Sequence, residues 1–338
     1  MAAVPVVSVV MPAYDRERYI TRAIESLCAQ TFDDFELIVI DDGSSDRTAE
    51  VAESFGDSRI RVVRNASNLG VCASRNLGLD LARGEFVANL DSDDVALATR
   101  LEKQVAFFRA YPETALLGTW AISIDEQGRR LEKIDRPWGA DRIRSQLLFR
   151  NCFKNTTVMG RRDVLMHYRY RESFQVNEDV DLHVRIALEH PVDNLPECLT
   201  LYRSHPESLS RVEREATTRA EQAIASAQLD RLGVEHGLEE LKLQHALRWR
   251  RTPRLGRRRL ALAEDWLLRL AAANRRVGLY PEPLFWEVLC QRWWRACRYS
   301  KANPLHRTRR WIASPLARGL GGAAWDAGWT WIQGRPAW

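Results

Sequence analysis

Apolar residues gather into unbroken runs at 6–11 and 35–40, separated by a stretch in which they recur at helical spacing. Runs of this length without a 3.6-residue period read as strands buried on both faces. Between them Tyr19, Ile20, Ala23, Ile24 and Leu27 mark one face of a helix over 18–30, with Asp15 as its N-cap. The alternation then repeats: a helix over 48–55 capped by Ser44 or Ser45, a strand at 60–63, a helix over 71–82 closed by Gly84, and a strand at 85–90. A further amphipathic helix covers 99–111, a strand 115–124 and a turn 125–128. Residues 129–175 are mixed, with an Asn-rich polar segment at 151–157 and a short apolar run at 158–160. A helix begins at Glu178 and runs to Glu189, and 195–202 reads as a last strand. Beyond 210 the pattern is helical almost throughout, interrupted at Gly233, Pro253 and Pro281, with no internal repeat.

This order predicts an α/β fold: a Rossmann-like, mostly parallel open sheet with helices on both faces, followed by a helical region. Ligands in such sheets bind beyond the carboxyl ends of the strands. Four polar clusters fall there: Pro12-Ala13-Tyr14-Asp15, Asp41-Asp42-Gly43-Ser44, residues 65–68, and Asp91-Ser92-Asp93-Asp94. The last is the most informative. Asp91 and Asp93, one residue apart where a pleat breaks, can converge on one hard divalent cation, which in turn can clamp a diphosphate. An Asp-x-Asp triplet arises by chance about once in such a chain, so its place at a strand end carries the weight. Three carboxylates in four residues also repel one another unless a cation lies among them.

Charge divides the chain in two. Residues 1–210 hold 26 Lys and Arg against 33 Asp and Glu, a balance of −7, whereas 211–338 hold 24 against 12, a balance of +12. Ten of the twelve Trp also lie after 210, so a catalytic domain over 1–210 and a basic, Trp-rich helical region over 211–338 are expected. Residues 248–259 hold seven Arg, and Trp286, Trp293 and Trp294 interleave with Arg292, Arg295 and Arg298. Such a region fits an anionic membrane surface; a bundle with its Trp inside and its Arg in water fits equally. Nucleic acid is not an expected partner, because no nucleic-acid-binding motif accompanies the charge. The six Cys form no C-x-x-C pair, which points to free thiols in a reducing compartment. The first residues lack the features of a signal peptide, and no run of about 18 apolar residues occurs. The expected location is cytoplasmic, peripheral at most on the inner face of a membrane.

Ordered motifs in the first part resemble the family 2 glycosyltransferases. They are Val7-Ser8-Val9-Val10-Met11-Pro12-Ala13-Tyr14, residues 26–32, Val39-Ile40-Asp41-Asp42-Gly43-Ser44-Ser45-Asp46, Asn68-Leu69-Gly70 and Ala73-Ser74-Arg75-Asn76-Leu77-Gly78. Gly84-Glu85-Phe86-Val87-Ala88-Asn89 leads into the acidic cluster, and Asn177-Glu178-Asp179-Val180-Asp181-Leu182 and Tyr202-Arg203-Ser204-His205 follow. The resemblance spans residues 5–210. It implies the GT-A fold and an inverting, metal-dependent transfer of sugar from a nucleotide sugar, a UDP-sugar, with Mn2+ or Mg2+ as cofactor. The implied acceptor is a hydroxyl of a glycan or lipid-linked saccharide in bacterial surface polysaccharide synthesis.

Carried over by motif, Tyr14 would stack on the uracil while the backbone of Pro12 and Ala13 lines the base. Asp42, with Asp41 as the alternative, would accept from the base imide; the same residues would also make an ordinary turn. Arg75 would pair with base or phosphate, or else form a surface ion pair. Asn68 would be loop geometry touching the nucleotide, and Ser92 would join Asp91 on the nucleotide side. Asp91 and Asp93 would hold the metal, with His205 completing the site. Asp179 would be the general base, with Glu178 able to exchange roles; favourable charges at a helix N-terminus are the alternative for both. A nucleotidyltransferase shares the sheet and the metal, but residues 12–18 lack a Gly-rich basic loop for a triphosphate. A non-catalytic nucleotide-sugar or glycan-binding scaffold is the third reading, and no G-x-G-x-x-G supports an NAD-linked enzyme.

Overall fold

The computed structural model describes residues 4–204, 214–248 and 255–317. The chain divides into two compact units, Met1–Ile143 with Asn151–Ala220 and Arg144–Arg150 with Glu221–Trp338. The first unit opens as β1 (Val7–Ala13), α1 (Ile20–Cys28), β2 (Phe35–Asp41), α2 (Thr48–Glu53), β3 (Ile60–Arg64), α3 (Val71–Leu81) and β4 (Phe86–Asn89). It continues with β5 (Val95–Ala96), α4 (Arg100–Ala110), β6 (Leu116–Ile124), β7 (Arg130–Ile134) and α5 (Ala140–Gln146), the last ending in the second unit. Then come β8 (Met159–Arg161), α6 (Arg162–Tyr168), α7 (Glu178–Glu189) and β9 (Val192–Arg203).

The strands form one sheet in the order β3-β2-β1-β4-β8-β6-β9-β5, with β7 on β6. β1 runs parallel to β2 and β4, and β2 parallel to β3, which is the doubly covered sheet that the continuous apolar runs predict. Beyond β4 the directions mix: β8 is antiparallel to both β4 and β6, β9 is parallel to β6, and β5 is antiparallel to β9. The two faces of β1 are told apart by alternation. Val7, Val9 and Met11 share a core with Ile20, Ala23, Ile24 and Leu27 of α1 and with Leu101, Val105 and Phe108 of α4. Val10, between them, meets α3, where a Cβ on Gly78 would collide with the Val10 side chain. Full burial of each such aliphatic side chain stabilises by about 1.5–3 kcal/mol.

Two caps differ from expectation. Asp15 has φ 51, and its carboxylate accepts from the N–H and hydroxyl of Ser45 at 2.8 and 3.2 Å, so α1 begins after Tyr19 without a side-chain cap. Asp46, rather than Ser44 or Ser45, accepts from the Thr48 N–H at the start of α2, at 2.9 Å. Short polar side chains here link the loops after β1 and β2, and that partner outcompetes the local cap.

The second unit contains α8 (Arg214–Arg231, begun in the first), α9 (Leu238–Arg248), α10 (Arg257–Val277), α11 (Leu284–Arg298) and α12 (Pro304–Ala313). Its core holds Trp266 and Trp293 with Leu260, Leu267, Leu270, Phe285 and Leu289, all buried. The Trp266 indole donates to Gln244 Oε1 at 2.8 Å, and Gln244 Nε2 to the Leu148 carbonyl at 2.9 Å. Arg292 is buried too, donating to the Arg248 carbonyl at 3.0 Å, with its guanidinium 5.2 Å from the Phe149 ring centroid. Trp286 and Trp294 are half-buried against Arg275 and Arg298. Much of the Trp and Arg at 286–298 is therefore spent inside this unit. Residues 249–254 of the Arg-rich stretch, and Trp325, Trp329, Trp331 and Trp338, lie outside the described residues. None of the six Cys forms a disulfide, and among the described residues no helix is long and apolar enough to cross a membrane.

Candidate active site

Because β1 to β4 are parallel, the loops that follow them share one rim. Pro12 is half-buried, Ala13 is buried, and the Tyr14 ring stands out at the rim, 44% exposed. The Asp15 N–H donates to Ser44 Oγ at 3.0 Å, adding to the Asp15–Ser45 link between the first two loops. Asp42 is buried, and its carboxylate accepts from Asn65 Nδ2 (2.7 Å), the Leu69 N–H (3.0 Å) and the Gly70 N–H (2.9 Å). It organises the loop after β3. Asn68 Oδ1 accepts from the same Gly70 N–H at 3.0 Å, the loop role expected of it. Asp41 is buried beside it, with its Oδ1 bonded to no donor among the described residues. Of the two carboxylates, Asp42 is committed to the fold and Asp41 keeps an open oxygen. Gly43 has φ +74, and a Cβ there would lie 2.6 Å from the Ser67 carbonyl carbon. Only glycine fits where these loops touch.

Arg75 draws the two acidic motifs together. It is buried on α3, and its Nη1 forms a close ion pair with Glu178 Oε1 while its Nη2 donates to Asp91 Oδ1 at 3.1 Å. The Tyr170 ring centroid is 5.6 Å from its guanidinium carbon. Burial opposes the Arg75 charge, but Glu178 and Asp91 together hold its pKa above the ordinary range. Burial pushes the Asp91 carboxyl upward, opposed by Arg75 and reinforced by Asp93. Asp94, wholly buried, is pushed well above the usual range by burial and then by Asp93 and Asp91; its Oδ2 has no hydrogen-bond partner among the described residues. Ser92 is buried between them.

Protein cations surround this cluster. Arg100, buried, donates to the Asn89 carbonyl at 2.7 Å. Lys154 sits 3.2 Å from the Tyr202 ring centroid, and its charge pulls the Asp91 and Asp94 carboxyls down. With Arg75 on Asp91, part of the repulsion among these carboxylates is relieved by the protein itself, while Asp93 still pushes both Asp91 and Asp94 upward. Arg100, Lys154 and Tyr170 had no local signal: each reaches the rim through tertiary packing, Lys154 from within the Asn-rich segment.

Asn177, at φ 59, turns the chain into α7. Three acids follow in its first turn. Glu178 is 6% exposed and tied to Arg75; burial drives its carboxyl upward against the pull of that partner. Asp181 accepts from Arg185 Nε at 2.8 Å and pairs with Arg171 at 3.5 Å. Asp179, half-buried, makes no hydrogen bond or ion pair among the described residues. One turn on, His183 is buried with neither ring nitrogen hydrogen-bonded among the described residues, and burial lowers its pKa to about 4, so it is neutral.

His205 lies outside the described residues. Among the described residues no group of three or more His, Cys, Asp or Glu converges as a ready metal cage. The acidic loop nevertheless offers oxygen donors only, Asp91 and Asp93 with the open Asp94 Oδ2 beside them. That set suits Mn2+ or Mg2+, which take one or two carboxylates and fill the remaining positions with phosphate oxygens and water.

The profile of Glycosyl transferase family 2 matches residues 8–169. The chain is 33% identical over 215 residues to the O-antigen biosynthesis glycosyltransferase WbnJ of Escherichia coli, covering 61% of this chain and 82% of that protein. Among solved structures, Staphylococcus aureus TarS 1-349 in complex with UDP-GlcNAc matches with a TM-score of 0.57 at 19% identity, over 97% of this chain and 92% of that one. The mannosyltransferase PcManGT from Pyrobaculum calidifontis, in complex with GDP-Man and Mn2+, matches with a TM-score of 0.53 at 16% identity, over 96% and 88%. Sequence and fold agree: the chain belongs to glycosyl transferase family 2 and is a glycosyltransferase with the GT-A fold.

Proposed function

We propose that this glycosyltransferase is metal-dependent and inverting, and moves a sugar from a UDP-sugar to a hydroxyl of a glycan or lipid-linked saccharide in bacterial surface polysaccharide synthesis. One observation carries the mechanism: Arg75 neutralises Glu178, and Arg185 and Arg171 occupy Asp181, leaving Asp179 as the acid in the first turn of α7 without a salt bridge among the described residues. Asp179 takes the proton of the acceptor hydroxyl as that oxygen bonds to the anomeric carbon. The bond from that carbon to the diphosphate breaks in the same step, so configuration inverts and no covalent intermediate forms. Tyr14 offers a face for the base, and the open Asp41 Oδ1 an acceptor for its imide N–H. Asp91 and Asp93 would hold Mn2+ or Mg2+, which supplies charge stabilisation for the departing diphosphate.

Support for the donor comes from the TarS complex with UDP-GlcNAc, and support for the metal from the PcManGT complex with GDP-Man and Mn2+. Because these name different bases, UDP, GDP, CDP and dTDP are compared by thermal stabilisation, each with Mn2+ and with EDTA. A metal-dependent shift with UDP alone, lost in Asp93→Ala, is expected. Equal shifts with every nucleotide, or none, would overturn the donor assignment. Asp179→Asn should keep UDP binding while lowering kcat by about 10²–10⁴-fold; a variant with near-native kcat would remove Asp179 from the role of base.

The proposal extends to an anionic membrane surface as partner of the second unit. On α12, Leu305 and Ile312 are seven residues apart and 74% and 60% exposed, with exposed Arg309 between them on the same side. An apolar stripe bearing Arg suits a lipid headgroup layer.

A further inference from the structure

Arg203, the last residue of β9, is 1% exposed, and among the described residues its guanidinium pairs with no carboxylate. Burying a guanidinium is costly unless its donors are satisfied. Here they are spent on main-chain carbonyls: Nε donates to Asp93 O at 2.8 Å, and Nη1 to Asp125 O and Glu126 O at 2.9 and 3.0 Å. The Tyr19 ring centroid lies 5.0 Å from the guanidinium carbon. The backbone of the same residue reaches the adjoining position, its N–H donating to Asp94 Oδ1 at 2.7 Å. One residue thus grips both sides of the 93–94 peptide, and anchors that grip to the 125–126 turn.

The consequence follows from planar geometry. A guanidinium presents its donors in a fixed fork, so bonds to two separate loops fix the Asp93 carbonyl in direction as well as distance. Fixing that carbonyl fixes the plane of the 93–94 peptide and with it the Asp93 Cα and its Cα–C bond, so that only rotation about that one bond is left to the Asp93 side chain on this side. A lysine at 203 has a single swivelling ammonium and cannot hold both loops at once.

We propose that Arg203 is a positioning residue for Asp93, holding the peptide from which the Asp93 carboxylate is presented to the cation and diphosphate of the donor. This rests on the reading of Asp93 as a cation ligand given above. The test is the affinity of the protein for UDP, by calorimetry, with saturating Mn2+ and with EDTA, in wild type, Arg203→Lys, Arg203→Met and Asp93→Ala. Met matches the buried length without a charge, and it carries the comparison if the Lys variant does not fold. The expected result is an at least tenfold loss of the Mn2+-dependent gain in UDP affinity in both Arg203 variants. Metal-free affinity should stay within about twofold, and the gain should be absent in Asp93→Ala. A gain kept at the wild-type level in a folded Arg203 variant would overturn the positioning role. So would equal loss of affinity with and without Mn2+, which marks general damage. If wild type itself shows no Mn2+-dependent gain, or Asp93→Ala retains it, the underlying reading of Asp93 fails, and this proposal with it.

Discussion

Substituting Arg75 by Met removes the one cation shared by Glu178 and Asp91 while keeping an unbranched side chain of similar length. The side chains of Arg75 and Glu178 are each 8% exposed and that of Asp91 is 30% exposed, so the loss falls mainly on Glu178. Removing one partner of a buried ion pair costs about 3–5 kcal/mol. The half-solvated Asp91 adds no more than about 0.5 kcal/mol. Glu178 has one escape, which is to take up a proton. Burial already drives its carboxyl upward, and without Arg75 that push acts with less opposition. A carboxyl whose folded pKa is raised supports the fold below its unfolded pKa, and that support is lost as pH rises through the folded value. The deficit of Arg75→Met should therefore be small near pH 5, about 1.4 kcal/mol near pH 8, one unit above the Glu178 value of about 7, and full only above about pH 9. At a slope of about 2 kcal/mol per molar urea, the midpoint falls by roughly 0.7 M at pH 8. Urea-dependent hydrogen exchange in peptides from α3 and α7, with EDTA and no nucleotide, confines the measurement to the first unit. Glu178→Gln in the Met background should recover most of the loss at pH 8. A midpoint loss below about 0.5 M at pH 8, or equal losses at pH 5 and 8, would refute the reasoning.

Three further outcomes follow from the geometry. Asp42→Ala strips three hydrogen bonds from the loop after β3; a loss of about 2–4 kcal/mol and faster proteolysis at 65–70 are expected. Gly78→Ala should cost about 1–3 kcal/mol by pressing α3 off Val10, and Val10→Ala should recover part of that loss only in the Gly78→Ala background, as read by thermal unfolding. Leu305→Glu with Ile312→Glu should sharply reduce co-sedimentation with phosphatidylglycerol vesicles while leaving UDP affinity unchanged; undiminished sedimentation would remove α12 from the membrane reading.

Strands β1, β2 and β4 were legible because they are buried on both faces and so carry their signal as unbroken apolar runs, while β3 at the edge is only partly buried. β8 was not: three residues between β4 and β6 become a strand only because both neighbours are there to pair with them. At Asp15 and Ser45 local capping rules pointed to helix starts, and a partner thirty residues away prevailed. The same limit governs the site. Motifs brought Asp41, Asp42, Asp91, Asp93 and Asp179 to the rim, yet which carboxylate is committed and which is open depends on Arg75, Arg203 and the loop at 65–70. A linear text gives the sum of nearby charges and omits the cations that folding delivers, here Arg75 on Asp91.

The links that run from Asp15 to Ser45 and from Asp42 to Leu69 and Gly70 join three loops into a single body. Grafting one of these loops between relatives would transplant half of each bond and leave its mate behind. A graft that carries 12–16, 41–46 and 65–70 as a block, with the glycine at 43, keeps these donors with their acceptors. The unit of exchange for engineering this rim is three strand ends at a time.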